Sequence, residues 1–231
     1  CSSDLEFKLV LPGADEAQAL SAARQLLGSL RDPVEMAGLT LPLSASIGVS
    51  LAPRDGTDVT TLQRRADTAM YHAKRSGRQQ VQLFTPALDD QRRERFALEA
   101  ALRRALHAGE FTLHYQPQLR GAALESVEAL LRWTPPHLGP VSPGRFIPVA
   151  EQCGLILPLG RWVRERACEQ AAAWHQQGRP LRVAVNVSPL EFTQPDFVPH
   201  VHGLLTRLEL PAHLLELEVR SEEHTSELQS H

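Results

Sequence analysis

The stretch ESVEALLRW (Glu125–Trp133) decides how this chain is read. Side chains of an extended strand alternate between two faces. Val127, Ala129, Leu131 and Trp133 therefore share one face, and Ser126, Glu128, Leu130 and Arg132 share the other. The first face belongs in a core, while the second carries a carboxylate and a guanidinium two residues apart. The same conflict recurs downstream. In VAVNVS (Val183–Ser188), three valines oppose Ala184, Asn186 and Ser188; in LLELEV (Leu214–Val219), Leu215, Leu217 and Val219 oppose Glu216 and Glu218. An unpaired buried carboxylate is costly or takes up a proton. Taken singly, each of these residues has a plainer reading as an ion-paired or edge side chain. Together, two carboxylates (Glu128, Glu218) and an amide carbonyl (Asn186) on successive strands suggest a bound hard cation, because Mg2+ and Mn2+ take oxygen ligands.

Around these strands the chain alternates strand and helix. FTLHYQPQL (Phe111–Leu119) is a strand that a short Gly-Ala turn joins to Glu125–Trp133. Helical stretches are expected at Arg145–Gly154, Leu159–Gly178 and near Asp196–Leu208, with strands at Leu181–Ser188 and at the LLELEV segment. Such alternation indicates a parallel sheet or barrel, whose reactive groups gather at the carboxyl ends of the strands. Upstream, RRERFALEAALRRALHAG (Arg92–Gly109) puts Leu98, Ala101, Leu102, Ala105 and Leu106 on one helical face, as a linker helix over 85–109. An earlier α/β region runs over 6–84. Its expected elements are a short strand at Glu6–Gly13, a helix at Glu16–Leu30, strand pieces within Leu39–Pro53, a helix at Asp58–Gly77 and a strand at Gln79–Phe84.

The bulk properties narrow the class. The 231 residues are 42% hydrophobic, as in an ordinary globular protein, and no apolar run approaches the roughly 20 residues that cross a bilayer. Cys1, Cys153 and Cys168 make no disulfide or zinc framework, which favours a reducing, cytoplasmic setting. A formal charge of −3 gives no attraction to a nucleic-acid polymer. His200 and His202 lack helical metal spacing and read as solvated.

The phrases YQPQ, EALLRW, FIPVAEQCGLI, WVRERACEQAAAW, VAVNVS and LLELEV, in this order over 110–219, resemble the front half of the EAL family, the cyclic-di-GMP phosphodiesterases. The resemblance implies the first half of a TIM-like (β/α)8 barrel and hydrolysis of cyclic di-GMP to linear pGpG with Mg2+ or Mn2+. It implies metal ligation by Glu128, Asn186 and Glu218 and dinucleotide contacts by Gln116 and Arg132. A guanidinium fork suits phosphate oxygens. The family's later Asp-Asp pair, general-base Lys and further ligands have no counterpart here. Asp89-Asp90 lies in the linker, where a solvated or capping role is expected. The alternative reading is a receptor that binds cyclic di-GMP without cleaving it. Association through the EAL region as a homodimer, an upstream sensor domain and a membrane anchor in a preceding segment all remain compatible with the family.

The first region resembles the C-terminal half of a GGDEF (diguanylate cyclase) domain, through EFKLVLPGAD, SASIGVSLAP and RRADTAMYHAKRSGR. Glu6 would close the signature, but Ser3, Asp4 and Leu5 stand where Gly-Gly-Asp belongs. Lys74 and Arg78 match triphosphate-contacting positions; cations complementing a helix C-terminus explain them equally well. Cyclase activity is not expected. The termini read differently again. RSEEHTSELQS, within 220–231, resembles the translation of a common short-read sequencing adapter, and residues 1–5 can be encoded by the same adapter in the opposite orientation. The expectation is a fragment of a tandem GGDEF–EAL protein, inactive on its own, whose acidic balance lies wholly in these terminal residues.

Overall fold

The computed structural model describes residues 6–30, 34–36, 39–41 and 43–219, so the two terminal segments read as adapter-derived lie outside the described residues. The chain divides into two compact units between Glu94 and Arg95.

In the first unit, α1 (Glu16–Ser29) opens with a capping box. Asp15 accepts the Gln18 backbone N–H at 2.8 Å, and the Gln18 side chain accepts that of Asp15 at 3.0 Å. A short antiparallel pair follows, β1 (Val34–Met36) with β2 (Leu39–Leu41). Next, β3 (Ile47–Val49) pairs in parallel with β4 (Val81–Leu83) across the crossover helix α2 (Val59–Arg75), which Asp58 caps. Gly48 is fixed by this packing, because a Cβ there would collide with the Ala66 carbonyl and the Met70 amide of α2. Asp55, 3% exposed, knots the connecting loop. Burial would raise its carboxyl, but Arg54 and the Leu51 N–H together more than offset that and hold it below the ordinary 3.8.

One expected strand is not found. Glu6–Gly13 carries no regular structure, with Phe7 90% and Val10 81% exposed. Its apolar residues suit a strand, but a strand forms only against a neighbour, and none of the described strands pairs with it. Leu26 of α1 is also exposed.

The helix α3 (Pro86–Ala108) spans the division. Leu88 joins Ala69 and Phe84 in the first unit's core, whereas Leu98, Ala101, Leu102 and Ala105 belong to the second's. Asp89 accepts hydrogen bonds from Thr68 and Arg64, while Asp90 is exposed.

The second unit is built on a four-stranded sheet, β5 (Phe111–Arg120), β6 (Ala123–Trp133), β7 (Arg182–Val187) and β8 (Leu215–Val219), in that order. β5 runs antiparallel to β6, and β6, β7 and β8 are mutually parallel. Two helices cross over between β6 and β7, α4 (Pro143–Gln152) and α5 (Ile156–Gln176). Two more lie between β7 and β8, the single turn α6 (Pro189–Phe192) and α7 (Phe197–Arg207). Tertiary packing lets α4 hold Pro148 in its interior, since Phe146, Val149 and Ala150 anchor it on both sides.

The alternation read from sequence is realised. Val127, Ala129, Val183 and Val185 form one core with Val163, Ala167, Cys168 and Ala171 of α5 and Leu204 of α7. Phe111, Trp133, Phe146 and Trp162 form an aromatic cluster with centroids 5.3–6.3 Å apart. Burying such rings contributes about 1.5–3 kcal/mol per large side chain. The helices thus cover one face of the sheet, and the polar residues take the other.

Candidate functional site

Register places the polar residues in two neighbouring rows on one face of the sheet. Gln116 of β5 pairs directly with Glu128 of β6, Glu128 with Ala184 of β7, and Asn186 of β7 with Glu218 of β8. Asn186 therefore stands two residues beyond Glu128 along the parallel strands, about 6.6 Å of rise, level with Glu218. Its Nδ2 donates to Glu128 Oε1 at 2.7 Å. Its Oδ1 is buried and accepts no hydrogen bond. Glu128, Asn186 and Glu218 are all half-buried.

This donor set fits a hard cation. The amide nitrogen is engaged with a carboxylate, which leaves the amide oxygen as a buried acceptor with no donor, an arrangement that costs free energy unless something supplies positive charge. Among the described residues no three His, Cys, Asp or Glu side chains form a metal-holding group, so the set depends on the amide. Two carboxylates and one carbonyl leave positions open in an octahedral shell, as Mg2+ usually requires for water and phosphate oxygens.

Arg132 lies on the same face of β6, two residues nearer the carboxyl end than Leu130; its guanidinium donates to the Leu131 carbonyl at 3.0 Å and is half-buried. Gln116 is exposed beside Glu128. Toward the opposite end, Ser126, 1% exposed, donates to Gln118, and Arg182 pairs with Glu216 at 3.0 Å. The candidates of the first unit do not join these rows: Glu6 lies in the irregular exposed segment, while Lys74 and Arg78 stand at and just beyond the C-terminus of α2. Arg78 follows Gly77 with φ of 57°, the left-handed turn that ends the helix.

Behind β7 lies a buried polar group that its sequence spacing does not reveal. Ser188 caps α6, its Oγ donates to Glu151 Oε1 of α4 at 2.7 Å, and its N–H donates to Glu191 Oε2 at 3.1 Å. Glu191, 3% exposed, is ion-paired with Arg164 of α5, itself 5% exposed. Burial pushes the Glu191 carboxyl up, against the pull of the Ser188 N–H and Arg164. The guanidinium also lies over the Phe197 ring, 4.7 Å from its centroid. Ser-x-x-Glu is a legible capping box; its tie to Arg164, 27 residues away, is not. His200 is likewise corrected: it pairs with Glu165 at 3.3 Å and its side chain is 13% exposed, because α7 packs it against α5, whereas His202 is exposed as expected.

A mixed sheet with helices on one face and oxygen-rich rows on the other, at the carboxyl half of parallel strands, defines the class. A family model described as the EAL domain matches residues 99–231, and one described as the diguanylate cyclase GGDEF domain matches residues 3–80. The chain belongs to the EAL domain family, with a GGDEF domain preceding the EAL. It is 38% identical over 214 residues to the bifunctional diguanylate cyclase/cyclic di-GMP phosphodiesterase MucR of Pseudomonas aeruginosa, covering 91% of this chain and 31% of that protein. To the cyclic di-GMP phosphodiesterase PdeR of Escherichia coli K12 it is 40% identical over 185 residues, covering 79% of this chain and 28% of that protein. The chain thus spans less than a third of these relatives' length. A solved structure titled PaMucR Phosphodiesterase, c-di-GMP complex matches with a TM-score of 0.51 and 42% identity, covering 53% of this chain and 51% of that one.

Proposed function

We propose that the second unit is the amino-terminal half of the EAL domain of a cyclic-di-GMP phosphodiesterase, in which Glu128, Asn186 and Glu218 hold a divalent cation, Mg2+ or Mn2+. The observation that carries this reading is the buried Asn186 Oδ1, which lacks a donor while its Nδ2 is bound to Glu128. Bound there, the cation would activate water and neutralise charge on the scissile phosphodiester. The chain's own residues supply the rest. Glu128 orients the Asn186 amide through the 2.7 Å hydrogen bond and fixes which amide atom faces the site. Arg132, on the same face nearer the strand's carboxyl end, offers a fork for phosphate oxygens, and Gln116 offers an amide to the dinucleotide. The polar face of the sheet, opposite the helices, is where the substrate lies. The names and ligand of the relatives support the reaction class. The general base is not among the residues assigned.

Two measurements test this. Cation binding by the chain is followed by titration with Mn2+; Glu128→Gln removes one anionic ligand while its amide oxygen still accepts from Asn186, and lowers affinity at least about 10-fold. In the intact gene product, hydrolysis of cyclic di-GMP to pGpG is lost on chelation, restored by Mg2+ or Mn2+, and reduced about 100-fold or more by the same substitution. Tight cyclic-di-GMP binding without turnover in the intact product would favour the receptor reading instead.

A further inference from the structure

We propose that Arg164 and Glu191 are positioning residues for the cation site: a buried ion pair on the helix-covered side that sets where Asn186 stands. The inference rests on the reading of Glu128, Asn186 and Glu218 as ligands. Ser188 follows Asn186 by two residues and stands immediately after the end of β7. Glu191 Oε2 accepts its N–H, Glu151 of α4 accepts its hydroxyl, and Glu191 is in turn gripped by Arg164 of α5. The end of the strand is thereby tied to two helices at one residue. Gly160 of α5 makes the seat: a Cβ there would collide with the Glu191 carboxylate. Phe197 of α7 backs the guanidinium.

Stability alone does not account for the pair. A buried Arg–Glu pair is commonly no better than an apolar replacement, and here Arg164 Nε is buried with no acceptor. What the pair supplies is direction. The Arg164 guanidinium, backed by the Phe197 ring, holds Glu191 Oε1, and Oε2 of the same carboxylate holds the Ser188 N–H. β7 is an extended strand locked to β8 through Asn186↔Glu218 and Val187↔Val219, so a shift at Ser188 is carried back to Asn186. Metal–oxygen distances tolerate only about 0.2 Å.

The test is Mn2+ binding to the chain, read as free Mn2+ by electron paramagnetic resonance, with folding verified by circular dichroism at the same temperature. Arg164→Leu strands the Glu191 charge and weakens binding about 10-fold or more. Arg164→Leu with Glu191→Gln restores affinity to within about 3-fold of the unaltered chain, because the amide still accepts from Ser188 and no charge is orphaned. Arg164→Leu with Glu191→Ala, which has no acceptor, stays weak. That last comparison holds even where the single variant fails to fold. Equal affinity of the two double variants, or a folded Arg164→Leu chain that binds normally, overturns the proposal: the pair is then structural, altering melting temperature alone. Glu128→Gln separates the two levels. If it weakens binding and the Arg164 variants do not, only the positioning role fails; if it has no effect, or the unaltered chain binds no Mn2+, the ligand assignment fails as well.

Discussion

Cys168 shows how burial sets chemistry at a single residue. It is fully buried in α5, and loss of solvation pushes its thiol up to about 11, so almost no thiolate forms near neutrality. In the native chain, alkylation at pH 8 leaves Cys168 unmodified by mass spectrometry, and urea exposes it. Asp55 runs the other way. Its folded pKa is depressed, so its contribution to stability is complete above the ordinary value of 3.8 and is lost as pH falls through the lower folded value. The urea midpoint of the first unit should therefore drop from about pH 5 toward about pH 2, and Asp55→Asn should flatten that slope. Glu191 and Arg164 add a third case. Breaking the pair with Arg164→Leu should cost about 3–5 kcal/mol, while the double replacement with Glu191→Gln should come close to neutral in chemical unfolding. Glu128 and Asn186 were legible in the sequence because each sets a polar side chain opposite a run of core residues on a strand. Arg164 was not, because on a helix it reads as one more surface cation until Glu191 is brought against it.

At the level of elements, periodicity located those that own a packed face and failed where the partner was missing. β6 and β7 were legible because Val127, Ala129, Val183 and Val185 declare one buried face, and α5 was legible through Val163, Ala167 and Ala171. Glu6–Gly13 has strand-forming residues yet no paired neighbour among the described residues, and pairing is not written in one segment. His200 shows the same limit, since its burial depends on how α7 lies against α5. Gly48 is a test of element packing. Glycine at a strand centre forfeits side-chain contacts, and it is retained because α2 passes too close for a Cβ. Gly48→Ala should destabilise the first unit by roughly 1–3 kcal/mol or more, measured by urea unfolding.

Two units with separate cores, divided within α3, make the whole chain a composite. All three tryptophans, Trp133, Trp162 and Trp174, belong to the second, so their fluorescence follows that unit while far-ultraviolet circular dichroism follows both. The Gly48→Ala change should move an early part of the dichroism transition and leave the fluorescence midpoint in place. Coincident shifts in both signals would show that the units unfold as one. Among the described residues no helix is long and apolar enough to cross a membrane.

The reversed direction of β5 has a further effect. In an all-parallel arrangement the chain would reach its first strand at the end remote from the proposed cation site. Because β5 is antiparallel, Phe111 pairs with Trp133, and the chain leaves α3 through Gly109 and Glu110 at the carboxyl end of β6. Glu110 is fastened there twice, accepting from the Trp133 indole at 3.2 Å and from the Thr134 amide at 3.4 Å. The entry of the second unit's sheet is thus held at the same end of β6 toward which Arg132 lies, with Gly109 as the joint after α3.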